Sequence, residues 1–179
     1  MSAEEERART HAQRKKEVAE IIEEMEDKNF EKAIELATKC IRDCKEKDIF
    51  REAQCHYLIA TALIAKHQDT TSEYNRIRNH IKRALGIWFL LEKDKKSENY
   101  AQLQIANVLL NFAILQSNAK KDASSLKACQ KSLGIFKRLR HKEGVKRAET
   151  IFYILKTRKL TNEIGQIMLS GLRKEREAQ

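Results

Sequence analysis

The sequence predicts an all-α protein of about eight antiparallel helices, paired into hairpins that stack into a short right-handed solenoid. Three observations carry this expectation. The 179 residues include no Pro, 5 Gly and 35% charged residues, so the residues that punctuate strands and tight hairpins are nearly missing. Apolar residues recur at helical spacing almost throughout, with short polar breaks roughly every twenty residues. One helical motif also recurs along the chain, and a hairpin that cannot bury its apolar face alone must stack on its neighbours.

Residues 1–16 are strongly charged and are expected to form a helical extension with a thin apolar side. The first stripe follows as Val18, Ile21, Ile22 and Met25. Asp27-Lys28-Asn29 breaks it, and Asn29 can cap a second helix carrying Phe30, Ala33, Ile34, Ala37 and Ile41. Lys45-Glu46-Lys47-Asp48 leads to a third helix with Tyr57, Ile59, Ala60, Leu63 and Ile64, and Gln68-Asp69-Thr70-Thr71 to a fourth with Ile77, Ile81, Ala84, Leu85 and Trp88. After Lys93-Asp94-Lys95-Lys96 come Leu103, Ile105, Ala106, Leu109 and Leu110; after Lys120-Lys121-Asp122 come Leu126, Cys129, Leu133 and Phe136. His141-Lys142-Glu143-Gly144 precedes Ala148, Ile151, Phe152 and Leu155. A last break at Lys159-Leu160-Thr161 leaves Ile164, Ile167, Met168 and Leu172 for an eighth helix. Each break is short, so consecutive helices must fold back on one another.

The repeat is read from Ala84-Leu85-Gly86-Ile87-Trp88 with Leu91, which returns 48 residues later as Ser132-Leu133-Gly134-Ile135-Phe136 with Leu139. Cys40-Ile41 stands at the corresponding place 44 residues upstream. In each copy a polar turn leads to a helix with an early Ala or Tyr: Ala53, Tyr100 and Ala148. The repeat region is placed at 17–158, in units of about 17–47, 48–93, 97–141 and 145–158, with 160–179 as a capping helix and polar tail.

Asn29-Phe30-x-x-Ala33-Ile34-x-x-Ala37-x-x-Cys40-Ile41 resembles the second helix of a tetratricopeptide repeat. Ile59-Ala60-Thr61-Ala62-Leu63 and Ile105-Ala106-Asn107-Val108-Leu109 are similar to the first-helix segment of that family, with Ala where the family has Gly. The repeat spacing exceeds the usual length of about 34 residues. The closer likeness is to the long-repeat subgroup of kinesin light chain and spindle-orientation adaptors, whose Gly-Asp-x-x-Gly-Glu-Ala turn is resembled by Arg140-His141-Lys142-Glu143-Gly144-Val145-Lys146-Arg147-Ala148. The resemblance implies a protein or peptide partner on the concave face lined by first helices, here Tyr57, Thr61, Tyr100, Gln104, Asn107 and Asn111. Asn107 resembles the family's Asn that holds a bound peptide backbone. The chaperone-tail-binding subgroup has a Lys one turn before that Asn, where this chain has Leu103, so that specificity is not expected.

The net charge of +10 is uneven: −3 over residues 1–50, +3 over 51–100, +7 over 101–150 and +3 over 151–179. The basic residues Lys137, Arg138, Arg140, Lys142, Lys146 and Arg147, with Lys127, Lys131, Arg158 and Lys159 around them, form either a solvated face or a patch for an acidic protein surface or RNA. Trp88, Phe89, Leu90 and Leu91 read as core packing, or, if exposed, as a contact between copies of the chain.

Several function classes are set aside. There is no Walker loop, His-Glu-x-x-His or nucleophile elbow, so no enzyme activity and no cofactor are expected. The five histidines are scattered, and Cys40, Cys44, Cys55 and Cys129 contain no Cys-x-x-Cys pair, so no metal site is expected and the cysteines read as buried thiols in a reducing compartment. No apolar run approaches the length of about 18 residues needed to span a bilayer, so no membrane insertion is expected. A cytoplasmic location is expected, with nuclear or ciliary space compatible. The leading reading is a non-enzymatic adaptor, scaffold or assembly subunit of a larger complex. The alternatives are an RNA- or polyanion-binding helical-repeat subunit and a ligand-sensing regulator of the same fold.

Overall fold

A computed structural model describes residues 3–44, 48–66 and 73–177, with side chains described for 15–44, 48–66 and 73–159. The described residues contain seven helices and no strand: α1 (Ala3–Glu26), α2 (Phe30–Cys44), α3 (Ile49–Lys66), α4 (Tyr74–Leu91), α5 (Glu98–Asn118), α6 (Asp122–Arg138) and α7 (Lys142–Glu177). Each helix packs against the next along the chain. The odd-numbered helices also touch in a row, α1 to α3, α3 to α5 and α5 to α7, whereas no two even-numbered helices meet among the described residues.

The first seven apolar stripes each fall on a helix, and the eighth does not form a helix of its own. α7 runs without a break through Lys159-Leu160-Thr161. The reason lies in how the other helices stop. α1, α5 and α6 end on a residue with positive φ: Lys28, Lys120 and Arg140. Each end carries the same pair of bonds. The N–H of the positive-φ residue bonds three residues back (Lys28 to Met25, Lys120 to Ser117, Arg140 to Lys137), and the next N–H bonds five back (Asn29 to Glu24, Lys121 to Gln116, His141 to Phe136). These are Schellman turns, which satisfy the last carbonyls of the helix and reverse the chain. Lys159-Leu160-Thr161 has neither a left-handed residue nor a Pro or Gly, so nothing ends the hydrogen-bond ladder there. The expected breaks at Lys45-Glu46-Lys47 and Gln68-Asp69-Thr70-Thr71 lie outside the described residues, as do the side chains of Ile164, Ile167, Met168 and Leu172.

Among the described residues, two helix starts are capped by side chains. Asp48 Oδ1 accepts the N–H of Arg51 at 3.2 Å, and His141 Nδ1 accepts that of Gly144 at 2.9 Å. Asn29 behaves otherwise than expected, giving its Nδ2 to Glu24 Oε2 at 2.9 Å.

The repeated motif occupies equivalent places in the even helices. Cys40, Ala84 and Ser132 are buried, and so are Cys44, Trp88 and Phe136 one turn on. In the odd helices the matching small residues are Ala53, Ala101 and Ala148, all fully buried, so the counterpart in α5 is Ala101 and not Tyr100. Small side chains at these places let neighbouring helices approach closely, and the large ones fill the space between. A fully buried Ile, Leu or Phe contributes about 1.5–3 kcal/mol by leaving water. One apolar cluster spans α1 to α5 and a second spans α5 to α7, with Phe112 and Ile135 packed against both.

Candidate partner-binding groove

The starts of α3, α5 and α7 lie side by side, and three hollows run along them. The first, about 470 Å³, is lined by Lys15 and Val18 of α1, by Asp48, Phe50, Arg51 and Gln54 around the start of α3, and by Tyr100 of α5. The second, about 500 Å³, is lined by Asn99, Tyr100 and Leu103 of α5 and by Arg138, Leu139, Arg140 and His141 of the α6–α7 turn. The third, about 440 Å³, is lined by Lys137, Arg140, Lys142, Val145, Lys146 and Glu149. Tyr100 is a wall of both the first and the second hollow and Arg140 of both the second and the third, so the three are neighbours in a row.

Aromatic side chains build the first hollow. Phe50 and Tyr100 stand over the buried Trp88, with ring centroids 5.7 Å from Phe50 to Trp88 and 5.7 Å from Tyr100 to Trp88, both edge-on. Phe50 keeps 36% and Tyr100 41% of its surface exposed. Gln54 Nε2 donates to the Tyr100 hydroxyl at 2.8 Å and fixes the ring's orientation. The Trp88 Nε1 is buried without a hydrogen-bond partner. Nothing in the hydrophobic spacing singled out Phe50, Arg51 or Gln54. The available signal was an apolar pair, Ile49-Phe50, at a helix start where a capped helix usually carries polar residues.

The six residues expected on the concave face do lie on α3 and α5, but several are already engaged. Thr61 Oγ1 donates to the Tyr57 carbonyl at 2.9 Å and accepts from Asn111 Nδ2 at 2.6 Å. Tyr57 packs against the first cluster, and its burial pushes the phenol above its usual range. Asn107 Oδ1 accepts from Arg147 at 2.7 Å. Gln104 is half-buried, and of the six Tyr100 is the one that lines the hollows.

The six basic residues divide among different surroundings. Arg138 and Arg140 face Tyr100 across the second hollow, and Arg138 donates to Gln102 at 3.4 Å. Lys137, Arg140, Lys142 and Lys146 surround the third, where Lys137 pairs with Glu149 at 3.0 Å. Arg147 turns away to Asn107 and the ring of Phe136. The three hollows therefore pass from an aromatic end to a cationic end, with the start of α7 adding the positive end of its dipole to the cationic side.

No family model, curated protein or solved structure matches this chain. The tetratricopeptide likeness thus rests on the chain's own residues. Among the described residues, no helix is long and apolar enough to cross a membrane. Trp88, expected in a possible contact between copies, is fully buried, and that end of α4 exposes Phe89 and Leu90 instead.

Proposed function

We propose that the protein is a non-enzymatic, tetratricopeptide-like helical-repeat adaptor whose odd-numbered helices form the inner row of a short solenoid. In this reading a partner segment lies along the starts of α3, α5 and α7, with an apolar or aromatic side chain against Phe50 and Tyr100 and acidic groups toward Arg138, Arg140 and Lys142. The single observation supporting it is the row of three neighbouring hollows that share Tyr100 and Arg140 as walls. An extended peptide offers just such a run of dissimilar contacts, and a rigid row limits the ordering cost to the peptide.

A second reading is supported by the cations around the third hollow: polyanion or RNA binding through phosphate contacts. The two separate in one experiment. A displayed library of short random peptides is selected on the full chain, and the winners are measured by fluorescence anisotropy across a salt series, beside a single-stranded RNA probe. The adaptor reading expects enriched peptides pairing an aromatic residue with acidic ones, and loss of at least about tenfold in affinity on Tyr100→Ala. No enrichment, together with RNA binding that falls steeply with salt and ignores Tyr100→Ala, overturns it in favour of the second.

A further inference from the structure

Behind the first hollow, whose wall includes Arg51, α2 and α3 bring two cysteines and that arginine together inside the fold. Cys55 Sγ lies 2.9 Å from Cys40 Sγ, and Arg51 Nε lies 2.8 Å from the same Cys40 sulfur. The other arm of Arg51 is held by Glu17 of α1 at 2.5 Å. Cys40 thus receives two donors on one sulfur, while among the described residues Cys44 bonds the Ile41 carbonyl, at 3.7 Å, and Cys129 the Ala148 carbonyl, at 3.4 Å. All four thiols are buried and unbridged.

Cys40 also has a route to solvent. A hollow of about 230 Å³ is lined by Glu17, Glu20, Leu36, Lys39, Cys40 and Asp43. With Glu17 paired to Arg51, the lining still carries Glu20 and Asp43 against Lys39, which disfavours anionic thiols and disulfides, whereas a small neutral oxidant is not repelled. Among the described residues no group of three or more His, Cys, Asp or Glu is arranged to hold a metal ion, so the two sulfurs are left to thiol chemistry.

We propose that Cys40 and Cys55 form a peroxide-reactive dithiol, with Cys40 as the attacking sulfur, Cys55 as the resolving sulfur and Arg51 as the positioning residue. The Cys40 thiolate attacks one oxygen of hydrogen peroxide; an S–O bond forms, the O–O bond breaks and hydroxide leaves. Cys40 is then a sulfenic acid and the peroxide is reduced. Cys55 attacks that sulfur, an S–S bond forms, the S–O bond breaks, and the departing hydroxyl takes the Cys55 proton as water. In sum two thiols and one peroxide give one disulfide and two waters. The two sulfurs need to close by less than about 1 Å to reach bonding distance.

The electrostatics divide the roles in the same way. The Cys55 S–H on its sulfur, opposed by burial and joined by the Arg51 guanidinium, brings the Cys40 thiol down to about 7. The neighbouring Cys40 sulfur and burial push Cys55 upward, so Cys55 keeps its proton until Cys40 has been oxidised. Burial holds Cys44 and Cys129 up at about 11. Cys44 shares the helix of Cys40, yet it is the cysteine across the α2–α3 turn that meets it.

The test uses the full reduced chain, pulsed with hydrogen peroxide and then alkylated for peptide mass spectrometry. The expected product is a Cys40–Cys55 linked peptide pair, with the intact mass lower by about 2 Da for the two lost hydrogens, reversed by dithiothreitol. In Cys55→Ser, Cys40 should instead be trapped as a sulfenic acid by a 1,3-diketone. Because Cys129 is an internal standard, no variant need fold for the main result: Cys40 should react at least about 100-fold faster than Cys129 at neutral pH. Arg51→Lys should slow Cys40 and move the inflection of its alkylation rate to higher pH, which a purely structural Arg51 would not do. Equal rates at Cys40 and Cys129, a Cys40–Cys44 link, or oxidation that goes past the sulfenic stage without a cross-link would each overturn the proposal.

Discussion

Gly144 lies directly against the ring of Phe136, so that a methyl group in place of its hydrogen would stand within 3.0 Å of Cδ1, Cε1 and Cγ. α7 can begin where it does only because its first turn carries no side chain at this point. Gly86 and Gly134, by contrast, have open space where a methyl would go. Gly144→Ala should therefore destabilise the protein by about 1–3 kcal/mol through overpacking, while Gly86→Ala and Gly134→Ala should each stabilise it by about 0.5–1 kcal/mol through helix propensity. Urea unfolding of the three variants checks this, and a stabilised Gly144→Ala would refute the packing account.

The Schellman turns place Lys28, Lys120 and Arg140 at φ values of 63°, 56° and 55°, where an L side chain crowds its own carbonyl. Replacing Lys28 or Lys120 by Gly should raise stability by up to about 1 kcal/mol, read as a higher melting temperature. Arg140→Gly should do the same while weakening capture of acidic peptides, since Arg140 also lines two hollows. Stability and binding moving together in that variant would count against the division of roles.

The Nδ1 atoms of His56 and His80 are 2.8 Å apart, so one donates and the other accepts, and both cannot be protonated there. Burial first, then the charges of His80 and Arg83, hold His56 down to about 4; burial and then Arg76 lower His80. Glu52 Oε1, 3.8 Å from His56 Nε2, is too distant to reverse this. A folded-state value below the unfolded one means that the unfolded chain takes up the proton first as pH falls. The pair's contribution is therefore complete above about pH 6.5 and drains away toward pH 4, by about 1–2 kcal/mol after allowance for solvent screening. Urea midpoints at pH 7.5 and pH 5 should differ in that sense, and His56→Gln should flatten the difference. An unchanged slope in that variant would place the pH dependence elsewhere.

Thr61 and Asn111 join α3 to α5 through one part-buried bond of 2.6 Å. A double-mutant cycle with Thr61→Val and Asn111→Ala should give a coupling of about 0.5–1.5 kcal/mol. A coupling near zero would mean that water replaces the bond at no cost.

The helices were legible where burial imposes a period. Ala84 and Trp88, or Ser132 and Phe136, recur because each even helix buries one stripe against two odd neighbours, and that demand is written locally. Helix ends were read less well. Lys159-Leu160-Thr161 looked like Lys120-Lys121-Asp122 in polarity, yet only the latter region carries a residue in the left-handed conformation, and polarity does not encode φ. Asn107 and Asn111 were placed on the right helix, but their partners Arg147 and Thr61 lie 40 and 50 residues away, a pairing that periodicity cannot supply.

What the sequence determined by itself is the all-α character, the first seven of the eight apolar stripes it was read to contain and the repeat in the even helices, since these follow from side-chain spacing along one chain segment. The tertiary structure alone decided that Phe50 and Tyr100 frame a hollow, that the basic residues split between two hollows and an asparagine, and that Cys40 meets Cys55 in preference to Cys44. Those are meetings between different helices, set by how far the small residues Ala53, Ala101 and Ala148 let them approach. A contact of that kind depends on the relative position of two rods, and no pattern within either rod specifies it.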